Sequence, residues 1–185
     1  PDEPGGYFII NGTEKVLITV EDLASNKLLV EEDSTGPSKL VGKLFSEYGS
    51  YKIPHTIERM KDGIFYLTFT RVKRVPAVIV LKALGMLKDE ELTKFISSDK
   101  QYDEVLINLV EFANVKTEEE ALDYMAKKIG ITQAKDVRME RMKEIIDKYL
   151  LPHLGVKKED RIFKAYNLQR TLTSELQSIK VEEVL

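Results

Sequence analysis

The sequence contains no cysteine, and only two of its 185 residues are histidine. The absence of cysteine excludes a disulfide framework, a thiolate nucleophile and a cysteine-ligated zinc site, and it fits a reducing compartment. The chain also has no run of eighteen or more apolar residues, so we expect neither a membrane span nor a secretory signal. These absences predict a cytoplasmic globular protein without a membrane partner.

The motifs that usually carry catalysis or cofactor binding are missing as well. Gly5-Gly6 is not followed by the further glycines, or by the Lys-Ser/Thr pair, that a phosphate-binding loop requires. Neither His55 nor His153 has a second histidine or a carboxylate at metal-ligand spacing. The acidic runs Asp89–Glu91 and Glu118–Glu120 stand where the first turn of a helix is expected, and the helix dipole favours acids there. We therefore expect no catalytic residue, no metal site and no cofactor, which favours a binding module or a part of a larger assembly.

Charge is unevenly distributed along the chain, although the net charge is only −3. Residues 1–37 hold eight acids and two bases, whereas residues 38–82 hold nine bases and three acids. A locally basic segment in an otherwise acidic chain points to a polyanionic neighbour. The alternative is that these cations are solvated side chains on strand edges, where they discourage pairing between molecules.

The beginning of the sequence has the composition of β-structure. Asn11-Gly12 separates two runs rich in β-branched and aromatic residues, Tyr7–Ile10 and Lys15–Val20, and so predicts a hairpin with a two-residue turn. Asn11 also begins an N-glycosylation sequon, but glycosylation requires a secreted chain, and no secretory signal is expected here. The hairpin is therefore the preferred interpretation.

Further strands are predicted between residues 28 and 69. Asp62-Gly63 predicts the turn of a second hairpin, between the runs Thr56–Met60 and Ile64–Phe69. Leu28–Val30 predicts one more strand, while Leu40–Phe45 fits either a short strand or the start of a helix.

Helical signals dominate from Pro76 onward. Val75–Gly85 is predicted to be a short, mostly buried helix with Pro76 at its first position and Gly85 just beyond its end, and a buried strand is the alternative. Further helices are predicted at Asp89–Ile96, Asp103–Phe112, Ala121–Ile129 (opened by a capping box at Thr117) and Gln133–Leu151, the last with Val137, Met142, Ile145, Ile146, Tyr149 and Leu150 on one stripe. Tyr166–Leu185 fits one more helix or a loose end. Antiparallel hairpins followed by a helical half, without βαβ alternation, predict an α+β fold.

The basic tetrapeptide Arg71–Arg74 is the remaining candidate for function. It is predicted to follow a strand and precede the Pro76 helix, so three cations would lie at a strand-to-helix junction. Cations there can neutralise phosphates irrespective of base sequence, and such binding weakens with salt. A solvated turn is the alternative.

Three segments resemble a known family. GGYFIINGTEKVLI (Gly5–Ile18), RVPAVIVLKALG (Arg74–Gly85) and YLLPHLG (Tyr149–Gly155) occur in the order found in the second-largest subunit of multisubunit DNA-directed RNA polymerases. In that family the FIING(T/S)E(K/R)V segment leads from the protrusion into the lobe, and the (K/R)ALG segment lies within the lobe. EDLASN (Glu21–Asn26) stands where bacterial chains carry an Arg-Ser-Pro-Gly element, so this sequence resembles the archaeal branch of the family.

The resemblance implies a non-catalytic module. The implied parts are a β-hairpin at the protrusion–lobe junction (residues 1–30), the lobe (31–165) and a tail (166–185) that matches the family poorly. The catalytic magnesium of the family is held chiefly by the largest subunit, so this chain would have no activity alone. The implied partners are other polymerase subunits, double-stranded DNA, and initiation and elongation factors.

Individual residues can be assigned expected roles on this basis. We expect nucleic acid to be faced by Lys52, Arg71, Lys73 and Arg74, and the backbone to be shaped by Asn11, Gly12, Pro76 and Gly85. The competing hypothesis is a purely protein-docking transcription module that uses the acidic helical face at Glu118–Asp123. A free-standing enzyme is disfavoured by the missing motifs.

Overall fold

Strands come first in the chain and helices afterwards, which confirms the predicted α+β class. The computed structural model describes residues 6–34, 36, 38–96 and 103–184. The strands are β1 (Tyr7–Ile10), β2 (Thr13–Val16), β3 (Leu28–Glu32), β4 (Leu40–Tyr48), β5 (Tyr51–Arg59), β6 (Phe65–Phe69) and β7 (Val72–Pro76). The helices are α1 (Ala77–Ala83), α2 (Asp89–Ile96), α3 (Asp103–Glu111), α4 (Glu118–Lys128), α5 (Lys135–Tyr149) and α6 (Arg161–Val184), with 3-10 turns at Pro152–Leu154 and Lys158–Asp160.

The Asn11-Gly12 turn joins β1 and β2 as predicted. The two strands are antiparallel, and Ile10 pairs directly with Thr13. Asn11 and Gly12 both have positive φ, 55° and 76°, which the two-residue hairpin turn that matches strand twist requires.

The second sheet is a five-stranded antiparallel meander with the order β3-β4-β5-β6-β7. The sequence predicted β3, and it left Leu40–Phe45 open between strand and helix; these residues lie in β4. One face of the sheet carries Leu44, Ile57, Leu67 and Phe69, all buried, and the helices pack on this face. Polar side chains dominate the other face, as expected for an antiparallel sheet packed on one side.

The turn between β5 and β6 contains Asp62-Gly63, as predicted, and a helix stabilises it. The Gly63 N–H donates to the carbonyl of Met60, and the Ile64 N–H donates to the Asp62 carboxylate. Asn108 of α3 donates its amide to the Gly63 carbonyl at 2.8 Å and accepts the Phe65 N–H at 3.0 Å. The buried Asn108 side chain thereby supplies the hydrogen bonds that a neighbouring strand would otherwise make.

The segment after Pro76 is a helix, so the alternative of a buried strand there is wrong. Every residue of α1 is buried. Pro76 is the last residue of β7 and precedes the first helical residue, instead of occupying the first helical position as predicted. Gly85 ends the helix at φ 98°, as a residue without a Cβ can do readily.

Buried lysines satisfy carbonyls at two helix ends. Lys82 of α1 donates to the carbonyls of Phe112 and Val115, just after α3, at 2.9 and 2.8 Å. Lys164 of α6 donates to the carbonyls of Ile146 and Asp147 at 3.1 and 2.7 Å. Burial lowers the pKa of Lys164 to about 8.

The later helices follow the predictions with shifted ends. The Thr117 capping box opens α4, because the Glu120 N–H donates to the Thr117 hydroxyl while the Glu120 carboxylate accepts the Thr117 N–H. Most of the predicted α5 stripe contributes to the core, but Val137 is exposed and the prediction for it is wrong. The tail prediction resolves to a helix, because α6 runs continuously from Arg161 to Val184.

The YLLPHLG segment joins the helical layer to the middle of the sheet. His55 of β5 is buried and accepts the Leu151 N–H on Nε2 at 3.0 Å, while its Nδ1 lies 3.1 Å from the Ile53 carbonyl. The His153 N–H donates to the Ser46 hydroxyl at 3.2 Å, and the His153 Nδ1 lies 2.7 Å from the same oxygen. Both histidines are therefore satisfied by hydrogen bonds within the fold.

Candidate nucleic-acid interface

The basic tetrapeptide lies on the outer edge of the sheet. Arg71 follows Thr70 in the turn after β6, and Lys73 and Arg74 belong to β7, the last strand in the sheet order. The predicted placement at a strand-to-helix junction is therefore wrong, because Val72 pairs with Phe69 and extends the sheet by one strand. All three cations remain exposed, since the buried residues of this segment are Val72 and Val75.

Arg74 is held in place by two contacts within the sheet. The pairing of β6 with β7 is irregular between Leu67 and Phe69, where Arg74 has a φ of 49° and donates its N–H to the Thr68 hydroxyl at 3.0 Å. Its guanidinium lies 3.5 Å from the carboxylate of Glu58 on β5. The positive charge of Arg74 is thus already compensated by a half-buried acid.

Lys52 is engaged in a similar way. Its Nζ lies 2.6 Å from the Asp22 carboxylate and 5.0 Å from the centre of the Phe45 ring. The hydrogen bond from Lys52 lowers the pKa of Asp22, which keeps that carboxylate ionised. Lys52 therefore holds residue 22 against the sheet and offers little free charge.

Arg71 and Lys73 differ from these two residues. Both are exposed, and no ion pair joins either of them to another residue of the described ranges. Lys52 and Arg74 are separated by on the order of 15 Å, since they differ by two interstrand spacings across the sheet and by four residues along β5. The structure thus groups Arg71, Lys73 and Arg74 and leaves Lys52 apart.

Residues 45–54 form a two-stranded arm that the sequence did not predict. The last pair between β3 and β4 is Leu28 with Leu44, and the last pair between β5 and β6 is His55 with Phe69. Beyond these pairs β4 and β5 continue together to Tyr48 and Tyr51, joined by a two-residue turn in which Gly49 has a φ of 59°. The arm therefore extends about 13 Å past its neighbours.

The arm is braced along the outer side of β4. The Asn26 N–H donates to the Phe45 carbonyl at 2.7 Å, and the Asn26 side chain accepts the Glu47 N–H at 2.8 Å. The Ser25 hydroxyl donates to the Glu47 carboxylate. The sequence identified the EDLASN segment only as a marker of the family branch. In the structure its last residues bond to β4 in the place where a neighbouring strand would lie.

The acidic face of α4 is occupied by contacts inside the helical layer. Asp123 forms ion pairs with Lys127 and Arg138, and its pKa is lowered, chiefly by the hydrogen bond from Lys127. Glu118 lies 3.6 Å from Arg161, at the start of α6. The two acids that bound the competing docking face therefore hold α4 against α5 and α6.

The histidines form hydrogen bonds within the fold and belong to no metal-binding cluster of the described residues. Burial lowers the pKa of His55 to about 4, so the ring is neutral at physiological pH and its Nε2 accepts a hydrogen bond. In the ranges that the structure describes, no cluster of three or more His, Asp or Glu side chains could hold a metal ion. Nor is any described helix long and apolar enough to cross a lipid bilayer.

A comparison with protein families decides the identity of this fold. The model described as "RNA polymerase Rpb2, domain 2" matches residues 24–181, which include the five-stranded sheet, the arm and the YLLPHLG segment. The chain belongs to this family. The match confirms the resemblance to the second-largest polymerase subunit.

Three archaeal relatives match this Rpb2 domain 2 chain over most of its length. It is 42% identical over 171 residues to "DNA-directed RNA polymerase subunit Rpo2" of Saccharolobus solfataricus, a match covering 91% of this chain and 15% of that relative. It is 42% identical over 165 residues to subunit Rpo2N of Methanocaldococcus jannaschii, covering 86% and 33% of the two chains. It is 41% identical over 176 residues to Rpo2N of Halobacterium salinarum, covering 92% and 34%. The chain thus spans a third or less of the length of most of these relatives.

Proposed function

We propose that this chain is the lobe module of an archaeal-type DNA-directed RNA polymerase and that it lines the DNA cleft without taking part in catalysis. The family match and the names of the relatives support this assignment. Its partners would be the other polymerase subunits, initiation and elongation factors, and downstream duplex DNA. Nucleotide addition and the metal ions it needs would be supplied by other parts of the enzyme.

The proposed contact with DNA is supported chiefly by the exposed cations Arg71 and Lys73. Arg74 and Lys52 are compensated by Glu58 and Asp22, whereas Arg71 and Lys73 have no ion pair with another described residue. Two uncompensated cations on a sheet edge can approach phosphates without first breaking an internal ion pair. Such contacts position a duplex without reading its bases.

The edge position also suits the simpler role of preventing strand pairing between molecules. The two roles differ in their dependence on salt, because only phosphate binding releases counterions from DNA. Salt dependence is therefore the measurement that separates them.

The test uses the assembled polymerase carrying R71E/K73E in this subunit. We expect weaker binding to duplex DNA, shorter-lived open complexes, and a slope of log affinity against log salt that is lower by about 2, since each phosphate contact contributes about 0.9. A matched control is K116E/K158E, which makes the same change of charge at two exposed lysines of the helical half. An unchanged salt slope in R71E/K73E, or an equal change in the control, would contradict the proposal.

A further inference from the structure

Two tyrosines form the tip of the braced arm. Tyr48 and Tyr51 are direct partners across the last pair of β4 and β5, so their side chains leave the same face of the hairpin. Their exposed fractions are 54% and 74%, whereas Phe65 and Phe69 in the same sheet are 4% and 0% exposed. The core therefore does not account for these two rings.

The arm presents the rings from a prearranged support. Asn26 and Ser25 hold one strand of the arm from outside, and His153 holds Ser46 from the helical layer. A ligand that stacks on the tip would not have to order the hairpin first, which lowers the entropic cost of binding.

An uncompensated cation lies near the base of the arm. Arg71 comes two residues after Phe69, and Phe69 pairs with His55. Arg71 ends the two-residue turn that follows Phe69 and leads into β7, so it lies at the end of the sheet from which the arm extends, at a backbone distance from Tyr51 on the order of 10 Å. One nucleotide spans a comparable distance between its base and the neighbouring phosphates.

We propose that the tip of this arm binds unpaired nucleotides, with bases stacking on Tyr48 and Tyr51 and the phosphate backbone passing near Arg71. Exposed aromatic rings beside cations are the usual means by which proteins hold single strands without selecting a sequence. Paired bases bury their faces in the duplex and offer no such surface to the tip. The proposal rests on the proposed function, because that function brings the arm close to DNA.

The experiment compares two DNA substrates bound by the assembled polymerase. One is fully paired, and the other has the same sequence with a preformed mismatched bubble. We expect Y48A/Y51A to weaken binding to the bubble substrate by at least about fivefold for each stacked base, with no change on the paired substrate. The salt slope should also stay unchanged, because no cation is removed. The matched control Y48F/Y51F keeps both rings and should bind as the unaltered enzyme does.

Three results would overturn the proposal. The first is an unchanged affinity of Y48A/Y51A for the bubble substrate, and the second is an equal loss on both substrates. The third is loss of another subunit or factor from the Y48A/Y51A enzyme with DNA binding intact, which would identify the tip as a protein contact. R71E/K73E separates this proposal from the proposed function, because it should weaken both substrates and lower the salt slope. If Y48A/Y51A bound both substrates normally while R71E/K73E bound them weakly, the stacking proposal would be rejected and the proposed function would be retained.

Discussion

The Leu151 N–H donates a hydrogen bond to Nε2 of His55 across 96 residues of chain, at 3.0 Å. Leu151 has a left-handed backbone conformation, with φ 44° and ψ 57°, which directs its N–H toward the sheet before Pro152 begins the following turn. The His55 ring also stacks on Phe69, with 5.7 Å between ring centres. The contact requires neutral His55, because a protonated Nε2 cannot accept the bond.

The stability of the chain should therefore fall as the pH falls below about 6.5. The folded-state pKa of His55 is about 4, below its ordinary value of 6.5, so the unfolded chain binds the extra proton first. This difference removes about 3 kcal/mol from the free energy of unfolding between pH 6.5 and pH 4. The pKa of His153 is lowered in the same direction. Denaturant titrations across this range should show the loss, and H55Q should be less stable at pH 7 and lose less on acidification. Parallel curves for both proteins would refute the assignment.

Replacement of Asn108 should destabilise the β5–β6 turn. N108L keeps a similar volume but leaves the Gly63 carbonyl and the Phe65 N–H without their buried partner. We expect the free energy of unfolding to fall by about 2–6 kcal/mol, at about 1–3 kcal/mol for each of the two unsatisfied groups. E111A, on the exposed side of the same helix, should change it by less than about 0.5 kcal/mol. A small effect of N108L in thermal or denaturant unfolding would mean that water replaces the amide.

Lys82 should matter for stability and not for DNA binding. K82M removes the donor for the carbonyls of Phe112 and Val115, and we expect a loss of about 2–3 kcal/mol in the free energy of unfolding. The control K88M removes an exposed lysine whose side chain forms an ion pair only with Glu91 among the described residues, and it should be nearly neutral. Equal unfolding free energies for the two variants would show that the carbonyls are satisfied without Lys82.

Asn26 should control the rigidity of the arm. N26A removes the acceptor of the Glu47 N–H, and we expect hydrogen exchange at the Glu47 amide to accelerate about five- to tenfold, as loss of one hydrogen bond of about 1 kcal/mol implies. The amide of Leu67, within the β5–β6 part of the sheet, should exchange at its original rate. Unchanged exchange at Glu47 would show that the arm is stable without this brace.

Local chemistry accounts for the parts of the fold that the sequence predicted. Asn11-Gly12 and Asp62-Gly63 set turns through their own backbone preferences, and Thr117 and Gly85 mark helix ends in the same way. These signals act within a few residues, so no knowledge of the tertiary structure was needed to interpret them.

The misplaced features depend on tertiary contacts that local sequence signals do not reveal. Val72–Pro76 lacks a clear alternation of apolar and polar residues, and it becomes a strand because Phe69 and Leu67 offer it a free edge. The sequence also could not show which cations are free to bind phosphate, since Glu58 compensates Arg74 from a different strand. The arm depends on Asn26 and His153, which lie 19 residues or more along the chain from the residues that they contact.

The meander from β3 to β7 has a consequence for the order of events during synthesis. Each strand pairs with the next one in sequence, so the sheet can form soon after residue 76 leaves the ribosome. A hairpin forms much faster than the ribosome extends the chain. Leu151 and Leu168, which cover the apolar face of the sheet, are therefore synthesised seconds after the sheet can form. During that interval Leu44, Ile57 and Leu67 face water, and we expect the nascent chain to bind chaperones until the helical half is complete.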